Sequence, residues 1–310
     1  MTKPITIATR ESKLALWQAN FVKSQLAGLY PEADIRLLPL KTTGDKFLKD
    51  KLQAIGGKGL FVKELEEAML DGRADLAVHS MKDVPAQFPD GLHLAAILER
   101  HNPFDALLCQ KYDGLQTLPK GAIIGTSSLR RESQIRILRP DCRVIPLRGN
   151  IHTRIKKLQD NNYDGIILAS SGIERMALSH LITEQFDANS MLPACGQGAL
   201  GIECRTSDDR LVDMIKQLSC PQTDICIKTE RQVNAILEGS CHVPIAVYCH
   251  FVDNHTLSLQ AKIFSTDGSK CLSFTDNTAV SEADKLANHC AKTLLAKGAQ
   301  TLIDQARQHA

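Results

Sequence analysis

Six arginines mark where this 310-residue chain could hold an anion: Arg10, Arg130, Arg131, Arg148, Arg154 and Arg175. Each stands at or just beyond the end of a run that reads as a strand, in TRESKLALWQ, GTSSLRRESQ, LRGNIHTR and SSGIERM. A guanidinium presents a planar fork that matches a carboxylate or a phosphate. Arg130 and Arg131 open a helix whose N-terminal end is already positive, so two further cations there call for a negative partner. Backbone N–H groups at that helix start, with the hydroxyls of Thr126, Ser127 and Ser128, add donors. The plainer alternative is a serine N-cap followed by a basic helix face. Six arginines bordering one inter-domain cleft point to a substrate with several carboxylates. Phosphates would fit almost as well, but the patterns GxxxxGK[ST] and GxGxxG are both absent, which argues against nucleotides.

A second kind of chemistry is written in HSMKDVP, where Lys82 and Asp83 follow a strand. Ligands of open α/β sheets bind beyond the carboxyl ends of strands. The pair is either a solvated surface pair or an acid held beside a cation, able to stabilise a positive intermediate or pass a proton. In LEGSCHVPIAV, Cys241 is a structural thiol, a metal ligand, a nucleophile or a covalent anchor. The ten cysteines include no CxxC pair and no zinc-ligand spacing, which disfavours the metal. Pairing with His242 is geometrically poor, because adjacent side chains on a strand point to opposite faces. LPACGQGALGIECR sets Gly196, Gln197 and Gly198 in a hinge turn that can also line a cleft. LKDKLQAIGGKG, with Gly57, Lys58 and then Phe61 behind it, reads as a surface loop or as a lid.

These residues need elements to position them. PITIAT is a strand, Glu11–Gly28 an amphipathic helix starting near Ser12, DIRLLPLKTT a strand, and FVKELEEAMLDG a helix stopped by Gly72. ADLAVHS and LHLAAILE are apolar strands. The alternation predicts a mostly parallel α/β sheet. It restarts after HNPFDALL, with strands in GAIIGTSS, CRVIPLRG and YDGIILA, the last running into a turn. From about Ser219 the style changes. TDICIKTERQVNAILEG reads as a helix, an antiparallel sheet with turns at DN and DG follows, and one or two helices close the chain.

Composition narrows the class. Thirty-seven basic against 35 acidic residues leave a net charge of +2, too balanced for a coat on nucleic acid or anionic membrane. Aromatic residues are 5% of the chain, too few for base-stacking platforms. No apolar run is long enough to span a bilayer, and the N-terminus has no leader character. A reducing cytoplasm with free thiols is expected.

HSMKDVP, GTSSLRR, LRGN with its following TR, LPACGQGALGIECR and LEGSCHVPI occur in this order and spacing, and together they resemble the porphobilinogen deaminases, or hydroxymethylbilane synthases, from Ile5 to at least Val247. Two positions depart: Ser240 stands where glycine often precedes the cysteine, and Phe104 where arginine is frequent. The resemblance implies two α/β domains like those of type II periplasmic binding proteins, plus a smaller α+β C-terminal domain. Residues 1–98 and 199–217 would form the first, 104–192 the second and 220–310 the third. It implies one dipyrromethane cofactor per chain, bound to Cys241 through a thioether. Four porphobilinogen molecules would be condensed on this primer with loss of ammonia, and water would release the linear tetrapyrrole. The six arginines, Lys82, Ser12, Thr126, Ser127, Ser128, Gln197 and Gly198 would bind cofactor and substrate. Asp83 would stabilise cations or transfer protons, and Gly57, Lys58 and Phe61 would belong to a lid. Porphobilinogen would be the one partner, taken by a cytoplasmic monomer without metal, nucleic acid or membrane. The rivals are a non-catalytic two-lobed anion-binding protein and a thiol hydrolase or redox enzyme using Cys241.

Overall fold

The computed structural model describes residues 4–43, 62–239 and 243–308. They group into two compact units, Met1–His101 with Ala199–Asp224, and Asn102–Gly198 with Ile225–Ala310.

The first unit is built on a five-stranded sheet ordered β2-β1-β3-β10-β4, from β1 (Ile5–Arg10), β2 (Ile35–Leu40), β3 (Leu76–Ser80), β4 (Leu92–Ile97) and β10 (Leu200–Arg205). β1 is parallel to β2 and β3, whereas β10 is antiparallel to both β3 and β4. β2 tolerates Pro39 because it is an edge strand, where a missing N–H breaks no ladder. Helix α1 (Lys13–Leu29) starts where expected, since the Ser12 hydroxyl accepts from the Ala15 N–H. It buries Ala19, Val22 and Leu26 against Ile7, Leu76, Val78 and Ile202 on one face of the sheet. Helix α2 (Lys63–Leu70) covers the other face with Leu65, Ala68 and Met69.

The second unit holds a sheet of the same topology, β7-β6-β8-β5-β9, from β5 (Asp105–Cys109), β6 (Ile123–Gly125), β7 (Arg143–Ile145), β8 (Gly165–Ala169) and β9 (Glu184–Gln185). β6 pairs in parallel with β7 and β8, and β5 runs antiparallel between β8 and β9. Helices α3 (Leu129–Leu138), α4 (Ile151–Gln159) and α5 (Ser170–Arg175) follow β6, β7 and β8. The expectation of mostly parallel sheets is thus corrected at one strand in each. Both antiparallel strands, DALLC and LGIECR, adjoin the stretches where the pattern restarts and where a hinge turn is expected. The stretch after β8, read as a turn, is a short helix.

Beyond α6 (Asp209–Lys216) and α7 (Pro221–Ile236), β11 (Ile245–Phe251), β12 (Thr256–Phe264) and β13 (Cys271–Ala279) form an antiparallel sheet. It is covered by α8 (Ala283–Ala296) and α9 (Ala299–Gln308) around Leu259, Ile263, Leu286, Leu294 and Ile303. This small α+β part shares the second unit. The Ser133 hydroxyl donates to the Ser265 carbonyl at 3.0 Å, and Val247 N–H to the Pro193 carbonyl at 3.2 Å. The architecture is therefore two α/β sheets of one topology plus a smaller α+β part.

Candidate active site

In the first unit the ends of β1 and β3 and the start of α1 enclose a pocket lined by Arg10, Ser12, Gln18, His79, Ser80 and Asp83, with Leu14, Val62, Leu65 and Val78 as its apolar wall. Three residues singled out from sequence, Arg10, Ser12 and Asp83, are thus brought to one place. Asp83 closes a short 3-10 turn, Met81–Asp83, that follows β3 directly, so its exposed carboxylate stands at the strand's carboxyl end. Lys82 belongs to the same turn and is half-buried. Gln18, His79 and Ser80 are additions. The Gln18 amide donates to the Ser80 hydroxyl at 2.9 Å and joins α1 to the end of β3. The sequence signal for Gln18 was its place two turns into an otherwise apolar helix face.

Beneath this pocket is a polar cluster. The His79 Nε2 and the Glu203 Oε2 lie 2.8 Å apart with both side chains almost fully buried. Glu66, on the buried face of α2, is close enough for its pKa to respond to both. Burial first, then the Glu203 carboxylate, pushes Glu66 up to about 7, and His79 opposes the shift. An acid raised in the folded state stabilises the fold fully below its ordinary value of about 4.5 and loses that contribution as pH rises through about 7. Glu66→Gln is therefore expected to narrow the loss of unfolding free energy between pH 5 and pH 8.5, by roughly 1–3 kcal/mol. Denaturant titrations of both proteins at the two pH values check this, and parallel pH dependences would contradict it.

In the second unit the strand-end groups hold one another. Arg130 donates from Nη1 to Asp105 Oδ2 (2.7 Å) and to the Leu192 carbonyl (2.8 Å). Arg131 grips Asp105 Oδ1 from Nε (3.0 Å) and Nη2 (2.7 Å) and donates from Nη1 to the Ile167 carbonyl (3.1 Å). The Gln197 amide completes the set on Asp105 Oδ1 at 3.0 Å. Burial alone would raise the Asp105 carboxyl, but the two guanidiniums outweigh it and hold its pKa well below the usual carboxylate range. The anion that the start of α3 demands is thus supplied by the chain itself, a partner the sequence reading missed. Two signals pointed to it: an acid opening the apolar run DALLC, and paired arginines whose local acid, Glu132, is engaged by Arg136 one turn on.

The neighbouring hydroxyls are engaged too. Thr126 Oγ1 accepts from Ser128 N–H at 3.2 Å and Ser127 Oγ donates to the Leu147 carbonyl at 3.0 Å, while the Ser128 side chain makes no capping bond. Arg154 donates from Nε to the Gly149 carbonyl (2.7 Å), and the Arg148 carbonyl accepts from Lys157 Nζ (3.1 Å). Arg175 is buried, which pulls its pKa down to about 10, and donates from Nη2 to the Gly198 carbonyl at 2.7 Å. Gly196 and Gly198 both adopt positive φ (72° and 94°), a backbone that side chains resist. Glu230 ties the Gly196 N–H to the Cys249 N–H of β11, at 2.7 and 2.8 Å. Phe104 does more than remove a charge: its ring packs 5.5 Å from that of Tyr248.

Cys241 and the lid residues Gly57, Lys58 and Phe61 lie outside the described residues, as does Ser240. Nine other cysteines are free thiols, and burial pushes Cys109 and Cys290 up to about 12 and Cys204 to about 11, which makes them poor nucleophiles.

By fold and strand-end chemistry the chain falls among α/β proteins that take ligands beyond the carboxyl ends of their strands. Residues 5–213 match the family model "Porphobilinogen deaminase, dipyromethane cofactor binding domain", and residues 225–296 match "Porphobilinogen deaminase, C-terminal domain". Over 301 residues, 97% of each chain, it is 54% identical to the porphobilinogen deaminase of Legionella pneumophila strain Lens, and 53% identical to that of strain Philadelphia 1. The chain belongs to the porphobilinogen deaminase family. The methionine binding protein MetQ resembles it loosely, at 12% identity and a TM-score of 0.44 over 69% of this chain and 89% of that one.

Proposed function

We propose that the chain is a hydroxymethylbilane synthase that condenses four porphobilinogen molecules with loss of ammonia and releases the linear tetrapyrrole by hydrolysis. The observation that carries this reading is the pocket in which Asp83 stands with Arg10 and Ser12, in a chain of this family. The donor set suits a dipyrromethane: guanidinium, hydroxyl and amide donors match its carboxylates, and one carboxylate matches its pyrrole N–H groups. When bound, that group supplies the nucleophilic pyrrole carbon from which the product grows. Cys241 is its proposed anchor.

Porphobilinogen carries an acetate, a propionate and an aminomethyl group on a pyrrole. Arg10 and Ser12 bind carboxylates in the first unit, helped by Lys82. Arg148, Arg154 and Arg175 do so in the second, with Thr126, Ser127, Ser128, Arg130, Arg131, Gln197 and Gly198 shaping and charging their surroundings. Loss of ammonia leaves a cationic, electrophilic azafulvene, and the Asp83 carboxylate stabilises that charge as it develops. The division into three domains, at 1–98 with 199–217, 104–192 and 220–310, belongs to the same proposal. So do a monomeric state in the cytoplasm and the absence of nucleic-acid or membrane partners. No helix among the described residues is long and apolar enough to cross a membrane.

Intact mass decides the reading. Freshly purified protein is expected to exceed its sequence mass by two linked pyrrole units, mapped to the peptide containing Cys241. Cys241→Ala is expected to lose both the increment and product formation. A bare Cys241 in active protein, rapidly alkylated by iodoacetamide, would favour the thiol-enzyme reading instead. A bare, inactive protein that still binds porphobilinogen would favour an anion-binding module.

A further inference from the structure

The His79–Glu203 pair has the build of a proton-transfer group, and Asp83 alone does not account for every proton the reaction moves. β3 points His79 to the face covered by α2, and β10 lays Gly201 opposite it in register. Glu203, two residues on, projects to the same face and meets Nε2 at 2.8 Å. The imidazole is only 5% exposed, yet it lines the same pocket as Asp83. A carboxylate on Nε2 favours the tautomer with its proton there, which leaves Nδ1 as the acceptor. Nδ1 has no hydrogen-bond partner among the described residues. The groups facing this pair are Glu66 and, further out, Glu67 from α2, Glu203 from β10, and Arg10 and Asp83 from the pocket.

We propose that His79, oriented by Glu203, is a second catalytic residue of this pocket, which accepts the proton released when one pyrrole is joined to the next. The inference rests on the reading of the pocket as a porphobilinogen-condensing site. When two substrate units join, the bond from the aminomethyl carbon to nitrogen breaks and ammonia leaves with the electron pair. The π electrons of the acceptor ring form the new carbon–carbon bond from its free α-carbon. That carbon then loses its hydrogen as a proton, and the C–H pair restores the aromatic ring. The proton goes to Nδ1 of His79, and from there to ammonia, which departs as ammonium. Asp83, an exposed carboxylate, stabilises the cations. His79, whose positive form Glu203 offsets across a short buried contact, holds the proton between cycles.

Three readouts test this on the cofactor-loaded protein. The first uses porphobilinogen deuterated at its free α-carbon. His79→Gln is expected to lower kcat by roughly 10²–10⁴-fold and to raise the deuterium isotope effect on kcat severalfold over wild type, with little change in KM. The second is independent of turnover: histidine-selective ¹⁵N NMR is expected to find His79 protonated on Nε2 in wild type and tautomerically mixed in Glu203→Gln. The third is the pH profile of kcat, whose acidic limb is expected to move in Glu203→Gln. His79→Gln that keeps kcat within threefold, or loses kcat with an unchanged isotope effect, overturns the proposal. If the His79 variant does not fold, Glu203→Gln decides: a shifted limb and a mixed tautomer support the proposal, and an unchanged limb or an unchanged tautomer overturns it. Wild-type protein that makes no tetrapyrrole would instead defeat the underlying functional reading, so the two failures are distinct.

Discussion

Asp105→Ala is expected to unfold much of the protein at physiological temperature. The carboxylate is fully buried, and its removal leaves two guanidiniums in the interior with no counter-charge. Breaking a buried pair by deleting one partner costs about 3–5 kcal/mol, against a total stability of roughly 5–15 kcal/mol. Here one acid serves two cations, so the upper part of that range applies. Asp105→Asn keeps the volume and loses the charge, and separates the electrostatic loss from the cavity. Urea midpoints at pH 7 check both variants; a shift below about 1 kcal/mol would show that the pair does not hold the second sheet together. The sign of the pH dependence is fixed as well. Because the Asp105 pKa is depressed, its contribution is present above the ordinary carboxylate range and is lost only as pH falls through the depressed value. The Asp105 term should therefore be flat from pH 5 to 9, in contrast to Glu66.

Asp83→Ala is the opposite kind of lesion. The side chain is exposed and closes a three-residue turn, so its loss should leave the unfolding midpoint within about 0.5 kcal/mol of wild type. Product formation should fall by roughly 10²–10⁴-fold, the usual worth of a positioned acid–base or charge-stabilising group. Asp83→Glu, which keeps the charge and shifts it by one methylene, should recover part of the rate. The measurement is turnover of protein whose covalent increment has first been verified by mass. Turnover near wild type in Asp83→Ala would remove Asp83 from the mechanism, and a collapsed midpoint would make it a structural residue.

Much of the frame was legible because its signals are local. Ser12 caps α1 as its position before an apolar helix suggested, and Gly72 takes the positive φ that a helix stop needs. The apolar runs IIG, GIILA and LAVHS became strands, since buried strands read as continuous hydrophobic stretches. The two antiparallel strands were hidden for the same reason. DALLC and LGIECR carry apolar patterns like their neighbours, and nothing local tells which way a strand runs in its sheet. The pocket was half legible: Arg10, Ser12 and Asp83 stand at strand ends, whereas Gln18 and His79 enter it through pairings of residues far apart in sequence. The Asp105 partner of Arg130 and Arg131 was not legible, because a helix N-terminus asks only for an anion and does not say which. A carboxylate 25 residues away, on β5 and separated from β6 by β8, satisfies that demand as well as a substrate does.

The placement of β10 has a consequence for how the chain is made. β4 joins its sheet only through β10, whose residues come a hundred positions later. At translation rates of about 5–20 residues per second, β3 and β4 wait roughly 5–20 s for the strand that separates them. Throughout that wait both present open backbone edges, the usual template for misassembly on a crowded ribosome. In the second sheet β5 waits for β8, about sixty positions later, or roughly 3–12 s at the same rates, so the longer exposure falls on the amino-terminal sheet.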